Sequence, residues 1–453
     1  MTMLNIVILA AGKGTRMYSE KPKVLHELAG KPLLQHVLDC ATKLEPEKIY
    51  VVYGHGGEAV TEAMQHSHAQ FVIQEPQLGT GHAVQQVMPH LSDAGNALIL
   101  YGDVPLIRQD TLQQMRQAGA GLVLLTIHLE NPAGYGRILR DAQGKVLGIV
   151  EEKDASPAQR EIKEVNTGIL FAPTTSLRGW LAKLQNKNSQ GEYYLTDIVS
   201  MAVQQGMAVH TVQPAHEWEI HGVNSKLQLA VLERTWQLVE ASRLLTQGVT
   251  LADPARIEVR GQLKCGRDVE IDVGCIFAGE VSLGDKVRVG AYTTIKNANI
   301  GSGTVIAPYS HIDGSEIGNN CQIGPYARLR PGTRLHDDVH IGNFVEIKNS
   351  EIAAHSKANH LSYIGDSTVG SRVNIGAGTI TCNYDGAHKH RTHIEDDVFI
   401  GSNTQLVAPV TVGKGATIGA GSTITRDVPE GELTLSRSKQ TTIKGWKRPT
   451  KKK

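Results

Sequence analysis

An aliphatic residue returns every six positions through most of the C-terminal half of this 453-residue chain. One run is Cys265, Ile271, Phe277, Leu283, Val289, Ile295. A second is Ile317, Ile323, Leu329, Leu335, Ile341, Ile347, and a third is Ile394, Ile400, Leu406, Val412, Ile418, Ile424. A helix brings its apolar positions back after about 3.6 residues and a half-buried strand after two. A period of six fits neither. It fits a solenoid in which each short flat strand turns one aliphatic residue inward. Three such strands close a coil of roughly 18 residues, the hexapeptide β-helix pattern. Gly often follows the aliphatic position, where a corner needs positive φ or a neighbouring coil comes close.

The N-terminal half has a different rhythm. Segments 6–10, 49–53, 71–74 and 97–101 read as strands, and 33–43, 57–65 and 83–88 as helices. Strands alternating with helices of this length predict an α/β domain with a mostly parallel sheet. Ligands of such sheets bind at the carboxyl ends of strands, here just after Leu9 and Leu100. The alternation fades after Asn224. Residues 225–245 then carry apolar positions at mixed three and four spacing, which predicts an amphipathic helix ending near Gly248. The expected division is a domain at 1–224, a helical arm at 225–248 and a β-helix domain at 249–453.

Charge excludes one class of partner. Lys and Arg number 46 against 45 Asp and Glu, so nothing supports nucleic-acid binding. The five cysteines (40, 265, 275, 321, 382) form no CxxC pair, which suits reduced thiols in a cytoplasmic protein. No apolar run approaches the roughly 18 residues of a membrane span. The chain enters a strand almost at once, so no signal peptide is expected. The basic end, from Lys444 on, reads as a solvated tail.

The first strand leaves into segment 9–17, Leu-Ala-Ala-Gly-Lys-Gly-Thr-Arg-Met. It is no P-loop, and Met17 stands where a dinucleotide fingerprint needs its third Gly. A Gly-rich turn after a strand can still bring backbone N–H groups to an anion. Arg16 adds a planar fork suited to phosphate and Lys23 a compact cation. Spacing alone leaves a phosphate loop and an ordinary strand–turn both open.

Segment 9–17 with Pro22-Lys23, Gln77-Leu-Gly-Thr-Gly-His and Tyr101-Gly-Asp-Val-Pro-Leu resembles the signature of sugar-1-phosphate nucleotidyltransferases. With the hexapeptide half included, nearly the whole chain resembles the bacterial bifunctional N-acetylglucosamine-1-phosphate uridylyltransferases / glucosamine-1-phosphate N-acetyltransferases. The resemblance implies a Rossmann-like α/β domain, a helical linker and a left-handed parallel β-helix, assembled as a homotrimer. It implies two reactions of UDP-N-acetylglucosamine synthesis, serving peptidoglycan and lipopolysaccharide. Acetyl-CoA acetylates glucosamine-1-phosphate; UTP then donates UMP to N-acetylglucosamine-1-phosphate and pyrophosphate leaves.

That second reaction is in-line displacement at phosphorus. A phosphate monoester has a second pKa of about 6 and needs no general base. It needs cations and a metal to reduce repulsion and stabilise the departing charge. By the resemblance, Arg16 and Lys23 serve catalysis, and Asp103 and Asn224 hold Mg²⁺. Leu9, Ala10, Ala11, Gly12, Tyr101 and Gly102 lie along the nucleotide. Gln74, Gln77, Gly79 and Thr80 meet uracil, whose edge an amide can match. Gly136, Glu151 and Asn166 lie along the sugar. His221 stands three residues before Asn224, where an acidic residue is expected.

In the C-terminal half the interruptions carry the information. The repeat stops after Thr381 and resumes at Ile394, and an insertion at one solenoid corner makes a loop on the binding face. Acetyl transfer to an amine needs a base, and His has a suitable pKa. The resemblance selects His360. It assigns Arg330, Lys348 and Lys389 to the sugar phosphate, and Tyr363 and Asn374 to the sugar. It assigns Ala377, Asn383, Tyr384, Ser402, Ala420 and Arg437 to acetyl-CoA. A zinc hydratase on the same solenoid would need three imidazoles; His355 and His360 are spaced for it, but Asn319 stands where the third belongs. A non-catalytic protein of this architecture is expected to lose Gly12, Gly14, Arg16, Lys23 and Asp103, and all five are present. A single-function nucleotidyltransferase leaves the His360 region unexplained.

Overall fold

In the computed structural model, which describes residues 3–54 and 56–451, strand Leu4–Leu9 is buried from end to end. A strand apolar at every position needs cover on both faces. Ile6 and Ile8 join one core with Leu34, Val37, Leu98 and Leu100. Val7 and Leu9 join a second with Val84, Ile99 and Trp180. The sheet order is 209–212, 122–128, 164–173, 96–101, 4–9, 48–54, 70–74. Strand 4–9 runs parallel to both neighbours, and the order reverses beside it. Leu9 and Tyr101 are register partners, so the two segments singled out in the sequence leave the sheet side by side at a topological switch point.

The sheet is more mixed than the alternation predicts. Glu164–Pro173 runs antiparallel to both of its neighbours, and Gly136–Arg140 with Val146–Val150 adds an antiparallel hairpin. Within 122–173 the strands are joined by turns and one short helix, Pro157–Arg160. Parallel neighbours require a longer crossover.

The second half is a parallel β-helix. On its first face Val289, Ile306, Ile323, Ile341, Ala358, Ile375, Ile400 and Ile418 are register partners, one per coil. Ile295, Ile312, Leu329 and Ile347 do the same on the second. The step is nearly constant except from Ile375 to Ile400, where the extra loop sits. The residues of the three six-period runs share one core, with Cys265 packed against it.

One corner takes positive φ without Gly. It carries Tyr292, Tyr309, Tyr326, Phe344 and Leu361 at φ between 50 and 61. That conformation costs an L-residue roughly 1–2 kcal/mol. Stacking of the four rings, 5.1–5.4 Å between successive centroids, opposes the cost. Of the glycines that follow aliphatic positions, Gly324 has φ 90, whereas Gly318 and Gly376 serve proximity. A Cβ on Gly318 would lie 2.6 Å from the backbone of His336, and one on Gly376 2.6 Å from Ser402 N.

The chain divides into two compact units, Met1–Trp236 and Gln237–Lys453. The division falls inside the long helix Lys226–Thr246. Leu232 packs with Met17, Leu28 and Leu33 of the first unit. Ala241 and Leu244 join the β-helix core. Buried Gln237 bonds the edge strand twice, donating to Val259 O (3.1 Å) and accepting from Val259 N (2.8 Å). Leu227, Val231, Leu238 and Leu245 are exposed, so the helix is not apolar on one side only. Among the described residues no helix is long and apolar enough to cross a membrane, and all five cysteines are free.

Candidate active sites

The Gly-rich turn and Lys23 are built on each other. Gly14 has φ 62, and a Cβ there would lie 2.9 Å from Lys23 Cβ. Lys23 therefore folds across the turn. Its ammonium donates to the Asp103 carboxylate and, at 2.9 Å, to Asn224 Oδ1. Both side chains of the ion pair are largely buried, 10% and 15% exposed. Asn224 reaches this point because Val223 N donates to Asp103 O at 2.9 Å.

Beside them opens a cavity of about 420 Å³, lined by Leu9, Ala10, Ala11, Gly12, Lys23, Gln74, Gln77, Gly79, Thr80, Tyr101 and Asp103. Gly102 lies just behind, its N–H bonded to Leu9 O at 2.9 Å. Gln74 Nε2 donates to Gly79 O at 2.9 Å, and Gln77 Nε2 to Ala11 O. Gly79 takes φ 106, and a Cβ would meet Tyr193 O at 2.8 Å. Lys13, Val24, Ala83 and Glu192 also line the cavity, and the sequence reading had none of them. Glu192 is placed by strand-like bonds between 78–81 and Tyr193, a pairing no local pattern announces.

Gly136, Glu151 and Asn166 assemble next to this cavity. Gly136 and Asn166 are register partners, and a Cβ on Gly136 would lie 3.4 Å from Glu151 Oε2. Glu151 accepts from Thr196 Oγ1 at 2.8 Å. Burial, with Asp197 and Asp154 nearby, raises its pKa despite that bond. Tyr101 connects the two groups: its ring lies where Gly168 has no side chain. Burial, with Glu151 and Asp103 nearby, holds its phenol protonated. Arg16 is exposed on the short turn Thr15–Met17 and does not line the cavity. His221 turns to Glu217, 3.3 Å away.

Asp103 and Asn224 bring two hard oxygens to a single cation position, now met by Lys23. That donor set fits Mg²⁺, which commonly takes only one or two protein oxygens. Among the described residues no group of three or more His, Cys, Asp or Glu converges as a metal site.

In the β-helix, the unequal sequence spacing of the candidate residues resolves into a line. Asn343 and His360 are register partners. Backbone bonds continue the line: Gly378 N to His360 O (3.3 Å), Asn403 N to Ala377 O (2.7 Å), Gly421 N to Ser402 O (2.8 Å). His360, Ala377, Ser402 and Ala420 thus occupy one position on successive coils, at one edge of the first face. Arg437 Nη1 donates to Ala420 O at 2.7 Å at its end. The small residues leave that edge open.

Arg330 and Lys348 stand on consecutive coils of the second face, Arg330 N donating to Ile347 O at 2.8 Å. Arg330 Nη1 also donates to Glu346 Oε1 at 2.9 Å. Lys389, on the inserted loop, lies against Lys348, which by direct contact and like charge lowers its pKa. Beneath them Asp366 is buried. It accepts from Asn349 Nδ2 at 2.6 Å and from Asn383 Nδ2, and Lys348 Nζ lies 3.8 Å away. Burial alone would raise its pKa, yet the two amides, Lys348 and Lys389 hold it below the usual carboxylate range. Asp366 and Asn349 escaped the sequence reading because they look like ordinary corner residues. Tyr363 begins a second-face strand, and Tyr384 is exposed and bridged to Lys389. Asn374 pairs with Lys357 and Phe399 on the first face, at the edge opposite His360. One chain does not bring it to Tyr363.

Both halves have relatives. The MobA-like NTP transferase domain family matches residues 6–154. The bacterial transferase hexapeptide family, of six repeats, matches residues 297–329, 314–349 and 391–426. The chain is 64% identical to "Bifunctional protein GlmU" of Azoarcus sp. (strain BH72) over 452 residues, 99% of this chain and 100% of that protein. It is 63% identical to the protein so named in Janthinobacterium sp. (strain Marseille), over 99% of each. The one from Nitrosospira multiformis is 63% identical over 100% of this chain and 99% of its own length. Similarity runs through both folds in the same order, so this is an enzyme of two activities, nucleotidyl transfer and acetyl transfer. The chain belongs to the GlmU family of bifunctional enzymes that make UDP-N-acetylglucosamine.

Proposed function

We propose that residues 1–224 carry uridylyl transfer around Lys23, Asp103 and Asn224, and residues 249–453 carry acetyl transfer at His360. The observation supporting the first assignment is the meeting of a buried lysine, a carboxylate and an amide oxygen over a Gly-rich turn beside a cavity. UTP enters with its uracil edge toward Gln74, Gln77, Gly79 and Thr80. Its phosphates lie along the N–H groups after Leu9, with Arg16 and Lys23 as cations. Gly136, Glu151 and Asn166 bind the sugar. Asp103 and Asn224 would hold Mg²⁺, whose charge when bound would offset that of the phosphates. Lys23, at the same point, is the cation nearest the phosphates. A sugar-phosphate oxygen bonds to the α-phosphorus, and the bond to pyrophosphate breaks.

In the second reaction the amine of glucosamine-1-phosphate attacks the thioester carbon of acetyl-CoA. His360 Nε2 accepts the proton lost from nitrogen. The C–N bond forms and the C–S bond breaks, and the leaving thiolate takes that proton from the imidazolium. Arg330, Lys348 and Lys389 hold the phosphate; Tyr363 and Asn374 hold the ring. Ala377, Asn383, Tyr384, Ser402, Ala420 and Arg437 receive acetyl-CoA. These groups divide between two faces of one prism, which supports a homotrimer with each site shared at a seam. Five free cysteines support a cytoplasmic protein.

His360→Ala is expected to abolish acetyl transfer and to spare uridylyl transfer. A folded variant that lost both would overturn the assignment. Asp103→Ala is expected to do the reverse, and an unchanged Mg²⁺ dependence would remove Asp103 from the metal. Light scattering should give three chains; an active monomer would contradict the seam.

A further inference from the structure

Among the described residues His360 has one side-chain hydrogen-bond partner. Its Nδ1 lies 2.9 Å from Asn343 Oδ1, and its Nε2 bonds to none of the described residues. An amide oxygen only accepts, so this contact is a hydrogen bond when Nδ1 carries the proton. In a neutral imidazole that leaves the Nε2 lone pair free.

The pairing is fixed by the coil and not by chance rotamers. Asn343 and His360 are register partners in adjacent strands, and Leu361 N donates to Asn343 O at 3.1 Å. Gly342 allows close approach, since a Cβ there would run into Asn359 O. Phe344, next along, is held at φ 57 and stacks 5.3 Å from Tyr326. On the other side, Ser362 Oγ donates to His360 O at 2.9 Å. Further along the line stand Ala377, Ser402 and Ala420, so Asn343 is the side chain on this line that orients the ring.

We infer that Asn343 is a positioning residue that holds His360 in the Nδ1–H tautomer and aims Nε2 at the substrate amine. The inference rests on His360 being the base. A base held in the wrong tautomer has its lone pair buried against its partner, and the proton has nowhere to go. A neutral partner orients the ring without adding a charge that would hold the imidazolium.

The test uses the full-length protein and three variants, with the melting transition of the β-helix unit as the control for folding. Asn343→Leu keeps the bulk and removes the acceptor. It should lower kcat of acetyl transfer roughly tenfold or more with KM nearly unchanged. Asn343→Asp keeps an acceptor and adds charge, so it should retain most activity. It should also move the rising limb of the kcat–pH profile upward by roughly one unit or more. Nitrogen-15 NMR of neutral His360 should show Nδ1 protonated. A Leu variant within about twofold of wild-type kcat, a loss confined to KM, an unmoved limb in the Asp variant, or an Nε2–H tautomer would each overturn the inference. His360→Ala is run beside them. If it alone is inactive while Asn343→Leu is normal, only the positioning role fails. If it still acetylates, the base assignment itself fails.

Discussion

Lys23 and Asp366 are the two residues whose surroundings say most. Lys23 is the cation of an ion pair that is nearly closed to solvent. Lys23→Met keeps the stem and deletes the charge. It should slow uridylyl transfer by about 10²- to 10³-fold, the scale of losing one preorganised electrostatic group, and leave acetyl transfer at wild-type rate. Initial rates of both reactions check this. Asp366 has a folded-state pKa below its unfolded value near 3.9. A depressed carboxyl contributes stability that is present above the unfolded value and is lost as pH falls through the folded one. The β-helix transition should therefore drop in Tm on going from neutral pH to the acid side of the carboxylate range. Asp366→Asn should flatten that drop, measured by thermal melts across the range. The sequence made the Gly-rich turn, Arg16 and Lys23 legible as an anion site. It could not show that Lys23 rests on Asp103 and Asn224, because those three lie far apart in the chain and meet only through tertiary contacts, Lys23 folding over Gly14 and Val223 bonding Asp103.

At the level of elements, the six-residue period specified the inward residues of the β-helix coil by coil. Each coil needs one aliphatic side chain per flat strand, and nothing else in the sequence supplies that periodicity. The corners were less legible. Both αL geometry and crowding favour Gly, and only the fold separates them: the aromatic corner takes αL without Gly, whereas Gly318 and Gly376 face the next coil. Gly318→Ala should destabilise the β-helix by about 1–3 kcal/mol, the usual cost of overpacking, read from the denaturant midpoint of that unit. Adding a methyl at Gly415 meets nothing within 4 Å, so Gly415→Ala should show only the cost of its φ of 66. The antiparallel strand Glu164–Pro173 was missed for a different reason. Strand direction depends on the length of the connection, and the strands of 122–173 are too similar in composition to reveal it.

For the whole molecule, the helix Lys226–Thr246 decides where the chain can be cut. A break near Gly248 looks natural from the repeat, but it would strip Gln237, Ala241 and Leu244 from the first coils of the β-helix. A fragment 226–453 should acetylate and melt as one unit. A fragment 249–453 should melt lower, since losing a buried Leu alone costs about 2–5 kcal/mol, and should expose the edge strand Ile257–Cys265 that Gln237 and Arg243 now bond. Melting curves and dye binding of the two fragments test this. Equal stability would mean that the helix contributes nothing to the β-helix.

Periodicity, turn chemistry and motif order, all local properties of the chain, determined two folds in sequence and the residue types at each site. Those are settled by short-range sterics and by which side chains must leave water. The tertiary structure alone decided which distant residues share a point in space. A backbone bond from Val223 N to Asp103 O carried Asn224 to Asp103, and coil register turned Asn343, His360, Ala377, Ser402 and Ala420 into one line despite their uneven spacing. Contacts of that kind depend on the closure of long segments and on the unequal loop between Ile375 and Ile400, and no local preference encodes them.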